Sequence, residues 1–206
     1  MGKIFCIIGK SGSGKDTIKN SLMEIINQNY DFKEIIQCTT RPKRDGETDG
    51  KEYHFVTPEL MREDDSHNDI FELRSYDTVD GTWYYYTRNS DIDIYENNYI
   101  TIGTIESFRT LSLHFGKDKV IPIYIYTSSK QRLEWMIERE SRNLVPNYKE
   151  VCRRYIADED DFTDEKLHKA GINDDHMYYN EDGYALLFLT DTIFHKVILY
   201  EMGLES

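Results

Sequence analysis

The stretch Gly9-Lys10-Ser11-Gly12-Ser13-Gly14-Lys15-Asp16-Thr17 reads G-x-x-x-x-G-K, followed by Asp where the phosphate-loop pattern asks for Ser or Thr. Glycines suit this task because successive backbone N–H groups must curl around phosphate oxygens at a helix N-terminus, where the helix dipole also favours anions. In this reading Gly9, Ser11, Gly12, Ser13 and Gly14 form the cradle, and Lys15 lies against the β- and γ-phosphates of a nucleotide. Asp16 is the departure. Its carboxylate can ligate Mg²⁺ directly or through water, yet it adds negative charge beside a triphosphate. Thr17 can take over the missing hydroxyl role, so the expected metal ligands are Asp16 and Thr17.

A second constellation runs from Thr39 to Val56. Arg41 and Arg44 can converge two guanidinium forks on one phosphate, and Tyr53 can add a neutral hydroxyl donor. Taken alone, the same residues also read as loop charges paired with Asp45, Glu47 and Asp49. The order is more specific than that: Thr39-Thr40-Arg41, a basic residue three on at Arg44, an acid three later at Glu47, Gly50 three after that, then Tyr53-x-Phe55. This series resembles the guanylate kinase signature. With the phosphate loop upstream, the resemblance covers both nucleotide-binding ends and extends more loosely over most of the chain.

The resemblance implies an ATP-dependent nucleoside monophosphate kinase that passes the γ-phosphoryl group to GMP or dGMP with Mg²⁺ as cofactor. It implies that Arg41, Arg44, Tyr53 and Tyr85 hold the acceptor phosphate, with Glu47 ordering the arginines. Glu72, after Ile70-Phe71, stands where the family reads the base. A carboxylate suits guanine because it accepts from both N1–H and the exocyclic amine, a donor pair that adenine lacks. The family's Y-G-S element appears as Tyr85-Tyr86-Thr87, so Thr87 keeps a hydroxyl for the base while Tyr86 is expected to narrow the space a glycine left. Gln37 stands in for a serine and can bond a purine edge. The family's D-x-D falls on Ile102-Gly103-Thr104-Ile105, without aspartates, and Glu106 is the neighbouring substitute. Two alternatives stay open: a kinase for another nucleotide, or a silent phosphoprotein-binding module, although the latter typically lacks the lysine present here as Lys15.

A lid in this family supplies arginines to the transferred group. Arg132, Arg139, Arg142, Arg153 and Arg154 are available, and the assignment falls on Arg139 or Arg142 from a first lid helix and Arg154 from a second. Asn180, in Asn180-Glu181-Asp182, corresponds to an element beside the ATP base.

The elements that must position these groups follow from periodicity. Lys3 to Ile8 is an unbroken apolar run, as in a strand buried on both faces of a parallel sheet, and Ile18, Leu22, Ile25 and Ile26 recur at helical spacing after the loop. Ile35-Ile36 starts a second strand; Asn98 to Ile105 and Val120 to Tyr126 read as two more, with Phe108, Leu111 and Phe115 as a helix stripe between them. Met177-Tyr178-Tyr179 is weakly strand-like, and a final helix runs from Tyr184 through Leu199. The expected fold is α/β: a phosphate-loop NTPase-type parallel sheet with helices on both faces, an inserted monophosphate-binding subdomain and a helical lid. One domain covers residues 1–206, with a core near 1–36, 88–128 and 183–206, the inserted subdomain near 37–87, and lid plus acidic segment near 129–182.

Composition restricts the partners. A formal charge of −13 opposes general adhesion to nucleic acid or anionic lipid. That charge is unevenly spread: residues 130–154 hold seven Lys and Arg against four Glu, whereas residues 157–182 hold ten acids against two lysines. Cys6, Cys38 and Cys152 form neither a disulfide framework nor a zinc spacing, and no apolar stretch reaches membrane-spanning length. The N-terminus has no signal-peptide layout, so the expected setting is the cytoplasm and the expected partners are small-molecule nucleotides.

Overall fold

The computed structural model describes residues 2–43, 46–78, 81–181 and 186–204. Strand β1, Ile4–Ile8, is buried along its whole length. Its side chains alternate between two cores, as a pleated strand requires. Phe5 and Ile7 join Ile18, Leu22 and Ile26 of helix α1, Lys15–Ile26, on one face. On the other face Ile4, Cys6 and Ile8 meet Phe108 and Leu111 of helix α3, Ile105–Phe115. Helix α2 is Pro58–Ser66, strand β2 is Phe32–Glu34, β7 is Asn98–Gly103, β8 is Val120–Tyr126 and β9 is Met177–Tyr179. These strands form one sheet in the order β2-β7-β1-β8-β9, and every neighbouring pair is parallel. The α/β fold with a parallel core covered on both faces is thus present.

Three boundaries differ from the sequence reading. The second strand ends before Ile35-Ile36 instead of starting there. Phe32 faces the core while Lys33 faces out, so the strand alternates, and the Ile35 N–H still bonds the Ile100 carbonyl at 3.0 Å. The β7 run stops at Gly103 because the Thr104 hydroxyl accepts from the Ser107 N–H and caps α3, which draws Ile105 into the helix. The C-terminal helix α7, Leu186–Ile193, widens into a π-helical segment over Phe194–Leu199, and Tyr184 lies outside the described residues. The weak strand signal at Met177 resolves into β9, which pairs with β8 at the sheet edge, Tyr124 with Met177 and Tyr126 with Tyr179.

A second sheet is inserted between β2 and β7. It contains β3, Cys38–Thr39, β4, His54–Phe55, and the antiparallel hairpin of β5, Ile70–Thr78, with β6, Gly81–Arg88, in the order β4-β3-β6-β5. Helix α2 packs Met61 against Cys38 and Tyr86 beneath this sheet. Thr57 caps α2 and Pro58 opens it, a start signal present in the sequence. Two further helices, α4, Ser129–Ser141, and α5, Tyr148–Asp161, follow β8, and the short α6, Asp164–Lys169, leads back toward the core.

Candidate active site

The phosphate loop leaves β1 and enters α1 through two glycines with left-handed backbone, Gly12 at φ 78° and Gly14 at φ 86°. Space as well as conformation requires them. A Cβ at Gly14 would collide with the Asn180 amide, and one at Gly12 would lie 2.9 Å from the Arg132 carbonyl oxygen. From the rear, Asn180 Nδ2 donates to the Ser13 carbonyl at 2.9 Å, and Thr127 Oγ1 donates to the same oxygen at 3.2 Å. The Asn180 N–H is itself bonded to Tyr126 at 2.8 Å. The observed contact of Asn180 is therefore with the loop backbone.

Lys15 Nζ donates to the Lys10 carbonyl at 2.8 Å, folded back along the loop. Burial pushes its pKa down to about 8; Asp16 and Asp158 oppose this, and Arg132 and Arg139 add to it. Asp16 and Thr17 are exposed on the first turn of α1. Among the described residues, no group of three or more His, Cys, Asp or Glu could hold a metal ion by itself. Asp16 and Thr17 nonetheless offer the oxygen donors that Mg²⁺ takes, and Mg²⁺ commonly uses one or two protein ligands together with waters and substrate phosphates.

Helices α4 and α5 close on the loop through a network that the sequence reading did not find. Arg132, among the candidates for the lid but not selected, is 1% exposed. Its Nη1 donates to the Ser11 carbonyl at 3.1 Å, its Nη2 bonds Glu159, and its guanidinium lies 4.8 Å from the Tyr155 ring centre. Glu159 also accepts from Lys10 Nζ at 2.6 Å, and Asp158 accepts from the Ser11 N–H. Of the selected arginines, Arg139 is exposed but its charge reaches Lys15, and Arg142 is exposed and bonded to Glu138 at 2.6 Å. Arg154 is half-buried and lies 3.7 Å from Glu150.

At the inserted sheet, Arg41 is 4% exposed and held by both oxygens of Glu47, at 2.9 and 2.7 Å. Its guanidinium lies 5.5 Å from the Tyr53 ring centre and 5.4 Å from that of Phe55. The Tyr53 and Tyr85 rings meet edge-on at 5.6 Å. Burial, and after it Tyr85, raises the Tyr53 pKa against the opposing Arg41, so its hydroxyl remains a neutral donor. Arg44 lies outside the described residues.

Glu72 is buried and gathers groups from four segments. Its Oε1 lies 2.9 Å from Arg74 Nε and accepts from Ser107 Oγ at 2.6 Å. Its Oε2 accepts from Gln37 Nε2 at 3.2 Å and from Thr87 Oγ1 at 3.1 Å. Gln37 and Thr87, expected to contact the base, both donate to Glu72 in this structure. Ser107 and Arg74 join Glu72 without belonging to any of the motifs above, and Glu106 is exposed on the same turn of α3 as Ser107.

Tyr86 does not narrow this site. In β6, Tyr85 lies opposite Arg74 and Thr39, whereas Tyr86 lies opposite Cys38, on the other face of the sheet. There it is fully buried and donates its hydroxyl to Asp64 at 2.6 Å. The period of two along a strand carries the side chain away from the residue that the motif comparison aligns with it.

Comparison with known proteins bears on the family and the fold. A family model described as guanylate kinase matches residues 1–177. The guanylate kinase of Helicobacter hepaticus is 49% identical over 70 residues, which make up 34% of this chain and 33% of that protein. That of Thermotoga maritima is 31% identical over 122 residues, covering 59% of this chain and 47% of the relative. The matches therefore span a third to a half of these relatives' lengths. The crystal structure of guanylate kinase from Anaplasma phagocytophilum shares the fold, with a TM-score of 0.63 at 19% identity, over 98% of this chain and 87% of that one.

Proposed function

The chain belongs to the guanylate kinase family, and on that footing we propose that it is a nucleoside monophosphate kinase transferring the γ-phosphoryl group of ATP to GMP or dGMP, with ADP and GDP or dGDP as products. The observation that carries this reading is the pairing of a phosphate loop turned by left-handed glycines into α1 with a buried Arg41 on the inserted sheet, held by both oxygens of Glu47 and flanked by the Tyr53 and Phe55 rings. A donor phosphate chain on the loop and an acceptor phosphate on Arg41 would then face each other.

The roles follow from chemistry. The loop N–H groups and Lys15 hold the β- and γ-phosphates, Arg41, Arg44, Tyr53 and Tyr85 orient the acceptor phosphate, and Glu72 reads the base with Gln37 and Thr87. Positioning and charge neutralisation carry phosphoryl transfer of this kind, since the protein has little covalent chemistry to perform. Asp16 and Thr17 would hold Mg²⁺, which supplies charge neutralisation to the triphosphate when bound. Residues 37–87 act as the acceptor subdomain and residues 129–182 as a lid, from which Arg139, Arg142 or Arg154 reaches the transferred group and Asn180 steadies the ATP end.

No helix among the described residues is long and apolar enough to cross a membrane. Free thiols at Cys6, Cys38 and Cys152 fit a reducing, cytoplasmic setting. Coupled ADP release measured against all common NMPs and dNMPs tests the assignment. GMP or dGMP should give the highest kcat/KM, and equal or better turnover of AMP, CMP or TMP would refute it.

A further inference from the structure

Arg74 belongs to none of the motifs that drew attention to this site. It follows Glu72 by two positions in β5, so the two side chains share one face of the sheet. Its Nε lies 2.9 Å from Glu72 Oε1, while its Nη2 donates to Gln37 Oε1 at 3.0 Å. Its Nη1 makes no hydrogen bond to a described residue, leaving donors of the planar fork available.

The Gln37 side-chain amide bridges this pair in an informative way. Its N–H donates to Glu72 at 3.2 Å and its carbonyl accepts from Arg74 at 3.0 Å. A carboxylate acceptor therefore stands beside a guanidinium donor, with an N–H/C=O amide spanning the two. The N1–H/C6=O lactam of guanine presents the same donor and acceptor side by side, and N7 beyond it adds a second acceptor. Adenine presents the reverse: its N1 would face the carboxylate and its 6-amino group the guanidinium. Arginine also pairs with guanine O6 and N7 wherever it reads that edge in nucleic acids.

We propose that Arg74 is a specificity-determining residue that donates to O6 of the guanine base, with N7 in reach of its second fork nitrogen. Glu72 accepts from N1–H and the 2-amino group, and the Gln37 amide, which holds the place of the lactam, turns to a neighbouring edge of the base when it enters. This inference rests on the reading of Glu72 as the base-recognising carboxylate. The adjacent Arg74 cation also balances the charge of the buried Glu72 carboxylate.

The test compares kcat/KM for GMP, IMP and 2-aminopurine riboside 5′-monophosphate in the wild-type protein, Glu72→Gln and Arg74→Ala. IMP lacks only the 2-amino group, and the 2-aminopurine nucleotide lacks O6 and the N1 proton. Arg74→Ala should shrink the preference for GMP over the 2-aminopurine nucleotide at least tenfold while leaving the preference for GMP over IMP within about twofold. Glu72→Gln should collapse the GMP-over-IMP preference. Arg74→Lys, which keeps the charge but loses the fork, should give an intermediate ratio and carries the test if the alanine variant does not fold. An unchanged 2-aminopurine ratio in the Arg74 variants, or equal loss of both preferences in Arg74→Ala, overturns the role of Arg74 while leaving guanine selection standing. If the wild-type protein does not prefer GMP at all, the reading of Glu72 fails and the proposal fails with it.

Discussion

Asp158 on α5 accepts a hydrogen bond from the backbone N–H of Ser11 in the phosphate loop, a contact between residues 147 positions apart. The loop N–H groups are the donors that a nucleotide phosphate needs, so a phosphate oxygen and the Asp158 carboxylate compete for one site. A charge-assisted hydrogen bond contributes about 1.5–3 kcal/mol. Asp158→Ala should accordingly lower the KM for ATP about tenfold or more and leave the KM for the acceptor unchanged. A raised KM for ATP in steady-state kinetics would show that Asp158 assists binding instead.

Burial disfavours the charge of Lys15 and lowers its pKa to about 8. Between that value and the ordinary lysine range the unfolded chain binds the proton that the folded chain has lost. Stability from this group therefore rises as pH increases through 8 and beyond. A bound triphosphate favours the charged form and raises the pKa. ATP binding near pH 8.5 should then take up protons and weaken as pH rises, which calorimetry in buffers of different ionisation enthalpy measures directly. Binding without proton uptake would contradict the buried, depressed lysine.

Arg41 owes its orientation to the two-point pair with Glu47. Glu47→Gln should raise the KM for the monophosphate severalfold, and Arg41→Ala or Arg44→Ala at least tenfold, with the KM for ATP within about twofold, since loss of a charged hydrogen bond costs about 1.5–3 kcal/mol. A predominant effect on ATP in initial-rate kinetics would place these residues at the wrong end of the cleft.

Asp16 and Thr17 are exposed beside Lys15, where oxygen donors can meet a phosphate-bound cation. Asp16→Ala should lower kcat and demand more Mg²⁺, and Asp16→Ser should restore much of the activity by returning a hydroxyl. An unchanged Mg²⁺ titration would leave Asp16 serving only the dipole of α1.

The parts of the site that could be read before the structure are those encoded locally. The loop glycines are a backbone requirement, and Arg41 with Glu47 is a pair six residues apart. What escaped notice depends on chain segments brought together by packing. Arg132, Asp158 and Glu159 meet the loop only because α4 and α5 fold back onto it, and Ser107 reaches Glu72 from the first turn of α3. Arg74 gives no local signal for a different reason: a single charged residue reads as solvated, and only the pairing of β5 with β6, in the register that sets Arg74 opposite Tyr85, turns it toward Glu72. The same register turns Tyr86 away from the site, because adjacent strand residues face opposite ways.

The most direct measurement is product analysis by phosphorus NMR of the protein with ATP, Mg²⁺ and GMP. Phosphoryl transfer between nucleotides predicts GDP and ADP appearing in equal amounts, with Lys15→Ala lowering the rate by at least a hundredfold because the loop loses its charge on the transferred phosphoryl. Failure to form GDP or dGDP from the corresponding monophosphate, or formation at an unaltered rate in Lys15→Ala, would contradict the proposed function.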